Sequence, residues 1–324
     1  TECGSQAKEW TAIDAMPSVD DAGWYYLTAN VTVVPFFATS GEFAFCLCGH
    51  TMVSADGKRM FDASNGAVIN ITDCDNDDSK GIITGSTGAT KYGSVMRANA
   101  GSTINIYNGK ISGNTGASDG IIYADCGSTE TPGGTINIYG GLITDNTCAR
   151  GTVYTALGTG GKLPGAIKIL GGVITGNTGS NTGTTSGGAG VYSFYPVEIG
   201  GNAQIYGNTA AEGPADIYLR DDQNQGASIV LSTEKPLEAG ANVQYGSKNA
   251  DDPADLALIS GSPDVSTWDP TWIQYDGQKV GYDGSKFFVD NSAPAGHVHC
   301  LCGAETNLGR SRCTLDRLLH SVSF

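Results

Sequence analysis

With 33 acidic against 18 basic residues among 324, the chain carries a formal charge of −15, which repels phosphate backbones and anionic lipid and argues against nucleic acid and membrane surfaces as partners. No apolar run approaches the roughly 18 residues that a membrane-crossing helix needs, so no membrane insertion is expected. No charged-then-apolar leader opens at Thr1, so the signal and anchor of a secreted protein are expected outside this chain.

Residues 1–34 read as an N-terminal cap leading into coils over 35–246, with a C-terminal cap over 247–296 and a distinct segment at 297–324. Within the coils the first apolar alternations are Phe45/Leu47 and Ile69/Ile71, the period of two that marks a strand with one buried face. A thirteen-residue phrase then recurs: TINIYNGKISGNT at 103–115, TINIYGGLITDNT at 135–147, AIKILGGVITGNT at 166–178, and a longer version, PVEIGGNAQIYGNT, at 196–209. Its spacing of 31 or 32 residues means stacking, because a unit this short buries its apolar face only against its neighbours.

Each phrase predicts strand, tight turn, strand. Ile104/Ile106, Ile136/Ile138 and Ile167/Ile169 alternate with polar residues, and Asn108-Gly109, Gly140-Gly141 or Gly171-Gly172 then breaks the run. A second strand carries Ile111, Ile143, Ile174 or Ile205, and a third follows after a variable stretch at 120–124, 151–155, 189–193 and 215–219. Gly, Thr, Ile and Asn exclude the helical repeats of this length, and a propeller blade needs four strands in about 40 residues. The fold that remains is all-β: a right-handed parallel β-helix with three strands per rung. Asn114, Asn146, Asn177 and Asn208 close the second strand of each repeat, where an asparagine can take a left-handed bend and bond its neighbours above and below as a ladder.

At the level of coil pattern, residues 43–245 resemble the pectate-lyase-like β-helix superfamily, whose members commonly carry such a ladder. A second resemblance rests on the order of WTAIDAMPSVDDAGWYYLTANVTV (10–33), FCLCGHTMVSADGK (45–58), GAVINITDCDNDDSKGIITG (66–85), the GNT coils, GQKVGYDGSKFFVD (277–290) and HVHCLCG (297–303). This order is similar to the module of tandem-repeat surface proteins of gut-dwelling Gram-positive anaerobes, in which an HxHCxCG segment opens a module. The resemblance implies an extracellular or cell-surface location, with 297–324 as the start of a next module or a docking tail and Thr1–Trp10 as the end of a preceding opening segment. It implies no activity.

Nine cysteines leave one unpaired in any full set of bridges. Aligning Phe45 and Leu47 with Ile69 and Ile71 puts Cys48 beside Thr72, near enough to Cys74 to make Cys48–Cys74 the leading disulfide candidate. A small buried thiol is the competing reading for each coil cysteine. His297, His299, Cys300 and Cys302 offer the ligand types zinc prefers, though Cys-x-Cys is tighter than the usual zinc loop; disulfides among Cys3, Cys300, Cys302 and Cys313 compete. Asp73, Asp75, Asp77 and Asp78 offer oxygen ligands to calcium without the spacing of a calcium loop, so no cofactor is expected and zinc or calcium is the alternative.

Two function classes follow. The row between the buried pairs of the first strand reads Asn70, Asn105, Asn137, Lys168, Glu198, an amide face ending in a cross-rung ion pair, with neither the paired aspartates of a hydrolase nor an arginine base for a lyase. This favours a noncatalytic surface module, rigid and adhesive or glycan-binding, over a polysaccharide lyase or glycoside hydrolase. Tyr123, Tyr154, Tyr192 and Tyr218 recur at one position of the third strand; if Ile122, Val153, Val191 and Ile217 are inside, they form an exterior stripe able to stack on sugar rings or anchor a partner, the alternatives being that the preceding loops cover them or that the tyrosines are themselves the inner row. The expected partners are host or plant glycans, surface proteins, or a second copy joined head to tail through the termini.

Overall fold

The computed structural model describes residues 8–74, 81–88, 93–116, 118–181, 188–212, 215–220, 225–247, 259–275 and 277–290, and every regular element among them is a β-strand. Most of the strands fall on three faces of a parallel β-helix, and the two-residue strands Thr115–Gly116, Thr147–Cys148, Thr178–Gly179 and Thr209–Ala210 stack as a further short parallel sheet. On the first face Trp10–Ile13, Gly23–Leu27, Glu42–Cys46, Val68–Thr72, Thr103–Ile106, Thr135–Ile138, Ala166–Ile169, Val197–Ile199, Ile229–Leu231 and Ile259–Ser260 stack as one parallel sheet. The second face runs from Val31–Val33 through Lys110–Ser112, Leu142–Thr144 and Val173–Thr175 to Ile273–Tyr275. The third runs from Phe36–Ala38 through Phe61–Ala63, Met96–Ala98, Ile122–Ala124, Val153–Thr155 and Val191–Ser193 to Ile217–Leu219.

Register makes each inward row continuous. Phe43, Ile69, Ile104, Ile136, Ile167, Val197 and Ile229 stand over one another on the first face, and Met52, Ile83, Ile111, Ile143, Ile174 and Ile205 on the second. Phe36, Phe61, Met96, Ile122, Val153, Val191 and Ile217 complete the core from the third. The N-terminal coils fill their wider interior with rings, Phe36 meeting Phe43 and Phe45 edge to face, where later coils use isoleucine. At the C-terminal end Gln278–Tyr282 and Phe287–Val289 reverse direction and pair antiparallel, Tyr275 opposite Gln278, so the described coil ends in a hairpin instead of a bare parallel edge.

The asparagine ladder is present, and each member is bonded in the same way. Nδ2 of Asn146 lies 2.9 Å from the carbonyls of Ile111 and Thr144 and 3.0 Å from Oδ1 of Asn177, while its backbone N–H donates to that same Oδ1 at 3.1 Å. Asn114 bonds to Asn146, and Asn177 to Asn208, in the same pattern. One detail differs from expectation. The left-handed residue at the bend is not the asparagine but the one before it: Gly113, Asp145, Gly176 and Gly207 have φ of 67°, 55°, 66° and 68°. The asparagine stays in an ordinary conformation and uses its amide to pair the peptide groups that the bend turns away from the strands. The ladder ends on a carboxylate, since Asp216 Oδ1 accepts from Asn208 N at 2.8 Å and from its Nδ2 at 2.7 Å.

Asn146→Ala leaves these buried groups unpaired and is expected to cost about 1–3 kcal/mol in urea unfolding, against almost nothing for Ala at the exposed Asn202. An unchanged midpoint for Asn146→Ala would remove the ladder from the list of stabilising interactions.

Burial raises the Asp216 carboxyl above the ordinary aspartate range, although hydrogen bonds from Asn208 and Gly207 pull the other way. A raised carboxyl holds its proton more tightly when folded, so its contribution is present below the unfolded pKa of about 3.9 and is lost as pH rises through the folded value. Asp216→Asn keeps an accepting oxygen without the charge. The Tm of this variant minus that of the wild type should therefore be near zero in acid and positive at neutral pH; a pH-independent difference contradicts this.

Candidate functional site

The outward row of the first face is hydrogen-bonded from rung to rung as far as Asn137, whose buried Oδ1 has no partner. Asn70 donates to Glu42 at 3.0 Å, Asn105 to Asn70 at 2.8 Å and Asn137 to Asn105 at 2.8 Å, a second amide ladder not foreseen from the sequence. Lys168 Nζ then sits 2.9 Å from Glu198, whose other bond comes from Ser232 at 2.6 Å. Burial works to raise the Glu198 carboxyl, but the bonds from Ser232 and Lys168 outweigh it and hold it below the ordinary range; the bond to Glu198 raises Lys168. Each group is thus the ion-pair partner of the other.

The third face is different. Of the two orientations the sequence leaves open, Ile122, Val153, Val191 and Ile217 point inward and the tyrosines out, but the tyrosines are not open to solvent: Tyr123, Tyr154 and Tyr218 are 3 % exposed and Tyr192 is fully buried. Ala156, Phe194 and Tyr195 close over them as a second apolar cluster outside the coil. Tyr154 and Tyr192 rings lie 5.4 Å apart, Arg150 lies over both, and Arg220 donates to the Tyr192 hydroxyl at 2.9 Å. An open stripe for stacking whole sugar rings is therefore absent from this row. The segments that follow the third strands supply the cover, which strand periodicity does not encode.

Register shows what the row becomes toward the N-terminus. Tyr123 stands beside Arg97, and Arg97 beside Asp62, because Phe61-Asp62-Ala63, Met96-Arg97-Ala98 and Ile122-Tyr123-Ala124 occupy the same three positions of successive rungs. That shared apolar-polar-alanine triplet was the available signal for Asp62 and Arg97, which lie upstream of the GNT phrases. Arg59 and Arg97 both pair with Asp62, Arg97 also forks onto Asp125, and Arg150 Nη1 reaches Asp119 at 3.4 Å and the Tyr154 hydroxyl at 2.7 Å.

Between these groups opens a cavity of about 680 Å³ whose wall is formed by Arg97, Asp119, Tyr123, Asp125, Arg150 and Tyr154, with the exposed Lys162 at its edge. Three cations against two carboxylates leave it with an excess of one positive charge on a chain of net −15. Both carboxylates are held in ion pairs, Lys162 has no carboxylate within ion-pair distance among the described residues, and the buried Nε of Arg150 has no hydrogen-bond partner. Burial, then the nearby Asp125, pushes the Tyr123 hydroxyl up, and burial does the same to Tyr154 against the pull of Arg150, so both remain neutral donors. The wall thus presents guanidinium and ammonium groups to an anion, fixed carboxylates to hydroxyls, and tyrosine edges to an apolar face.

Of the cysteines, Cys48 and Cys74 come together, with Sγ atoms 3.1 Å apart, but as thiols and not as a disulfide. The register differs by two residues from the sequence alignment: Phe43 and Phe45, not Phe45 and Leu47, pair with Ile69 and Ile71, which brings Cys48 level with Cys74. Cys148 is buried in the core and Cys126 lines the cavity. Asp73 is buried and accepts from the backbone of Gly49 and Gly81; Asp75, Asp77 and Asp78 lie outside the described residues, as do Cys3, His297, His299, Cys300, Cys302 and Cys313. No protein family, curated protein or solved structure matches the chain.

Arg150→Met strips a partner from both Asp119 and Tyr154, and is expected to cost about 1–3 kcal/mol, with Tyr154→Phe adding little on top of it in a double-mutant cycle. A cost under about 0.5 kcal/mol would mean that solvent screens the pair and the cavity wall is not held rigid.

Proposed function

We propose that the protein is a noncatalytic surface module: a rigid β-helical spacer whose third-face cavity binds acidic glycan, a uronate sugar being the smallest ligand that uses every group on its wall. The observation that carries this is the cationic excess of Arg97, Arg150 and Lys162 beside tyrosine edges on a strongly acidic chain. Guanidinium matches a sugar carboxylate in a planar fork, and a locally positive cavity in a negative surface steers an anion to one place. Asp119 and Asp125 are locked to arginines, which suits them to orient hydroxyls and unsuits them to exchange protons with a glycosidic oxygen. The first-face row, a chain of amide bonds closing on an ion pair, adds no reacting group. The resemblance to tandem-module surface proteins fits the same reading and an extracellular location.

Titration of the purified chain with oligogalacturonate, with its neutral methyl ester as control, should show binding of the charged oligomer alone. Lys162→Ala, a change at an exposed side chain, should weaken it about tenfold, the worth of one charge-assisted hydrogen bond, and no reducing ends or unsaturated products should accumulate. Equal affinity for ester and acid would sink the glycan reading. Product release that disappears in Asp119→Asn or Asp125→Asn would replace it with a carbohydrate-active enzyme.

A further inference from the structure

At the corner where the first face turns toward the second, three thiols meet. Cys48 Sγ lies 3.4 Å from Cys46 and 3.1 Å from Cys74, and all three sulfurs fall within 4.8 Å of one another. Cys46 ends the strand Glu42–Cys46, and Cys74 follows the strand Val68–Thr72 that pairs with it. Residues two apart on a straight strand share a face but stand well separated. Here the chain turns left-handed at Cys48, with φ of 48°, and at Gly49, with φ of 75°, which swings the Cys48 sulfur back between the other two. A left-handed cysteine is uncommon, since its Cβ crowds the backbone, and glycine would fill that position without strain.

We infer that Cys46, Cys48 and Cys74 form a three-sulfur site for a soft closed-shell cation of the zinc class. Geometry separates this from a Cys48–Cys74 disulfide. Metal–sulfur bonds of about 2.3 Å put tetrahedrally arranged sulfurs about 3.8 Å apart, so both measured pairs need to spread by well under an ångström. A disulfide needs Cys48 and Cys74 to close by about 1 Å, to about 2.05 Å, and leaves the buried Cys46 without a role. Burial falls from Cys46 through Cys48 to the exposed Cys74, so an ion reaches the site from the Cys74 side and keeps its fourth position toward water. Asp73 supports the sulfurs from behind: Oδ1 accepts from Gly49 N at 3.0 Å and Oδ2 accepts from Gly81 N, tying the Cys48 turn to the residue before Cys74. Binding releases one proton from each thiol that ligates the ion, so the affinity should fall in acid.

The test uses the full reduced chain, freed of metal by chelator and titrated with Cd²⁺, whose thiolate charge-transfer absorbance reports sulfur ligation. Cys46→Ser is the informative variant, because it leaves the Cys48–Cys74 pair intact; Cys74→Ser, at an exposed position, guards against misfolding of the first. The chain holds six further cysteines, so the reading is the difference from wild type. One equivalent of Cd²⁺ should disappear, or weaken by at least about tenfold, in each variant, and the metal-induced rise in wild-type Tm should go with it. Retention of that equivalent in Cys46→Ser overturns the site. So does a reduced wild type with no such equivalent whose air-oxidised form yields a Cys48–Cys74 linked peptide by mass spectrometry.

Discussion

A parallel coil has to bend three times in every turn, and each bend carries peptide groups that the strands above and below cannot reach. In this chain the bend after the second strand is closed by a glycine or aspartate in the left-handed region followed by an asparagine, whose amide bonds the backbone two residues earlier, the preceding rung, and the next asparagine. Because Oδ1 of one rung accepts both the N–H and the Nδ2–H of its neighbour, the bond is satisfied only when successive rungs are in step. Slippage by one residue would break it and would also turn the isoleucine rows toward water. The amide therefore fixes register as well as satisfying polar groups, and the rest of the molecule inherits that register.

Register converts sequence positions into rows. On the first face it stacks Asn70, Asn105 and Asn137 into a second ladder and sets Lys168 beside Glu198. On the third face the corresponding row changes from Asp62 and Arg97 to four tyrosines. Charge is concentrated at that change, and Arg150, Asp119 and Asp125 come in from the segments flanking the strands to line a cavity spanning three rungs. The aromatic row outside the coil supplies the wall over which Arg150 lies, 5.7 Å from the Tyr154 ring and 5.9 Å from the Tyr192 ring.

The thiol corner arises from the same stacking. Cys46 ends one strand opposite Thr72 and Cys74 lies two residues beyond, level with Cys48, so strand pairing brings the two chains together and the left-handed turn at Cys48 gathers the three sulfurs. The cavity and the thiol corner lie on different parts of one scaffold and differ in chemistry, the first lined by guanidinium, ammonium and carboxylate groups and the second by three sulfurs.

The period of 31 or 32 residues, the alternating isoleucines and the repeated asparagine were enough to specify a stacked parallel coil, its inward rows and its ladder, because these are nearest-neighbour properties repeated at fixed spacing. The same reading placed Lys168 against Glu198, and it left open whether the tyrosines or the aliphatic residues beside them face inward. It missed the pairing of Phe43 with Ile69, since the early coils differ in length from the later ones and the repeat does not reach them, and with it the level meeting of Cys48 and Cys74. It allowed for loops over the tyrosines without identifying Phe194 and Tyr195 as the cover, and it missed the approach of Arg150 to Asp119 and Tyr154, because irregular segments fold over a face according to three-dimensional complementarity and leave no period to read. Local alternation and repeat length determined the coil; the tertiary structure alone decided which outward groups met, since those contacts join residues whose spacing in the chain varies from rung to rung.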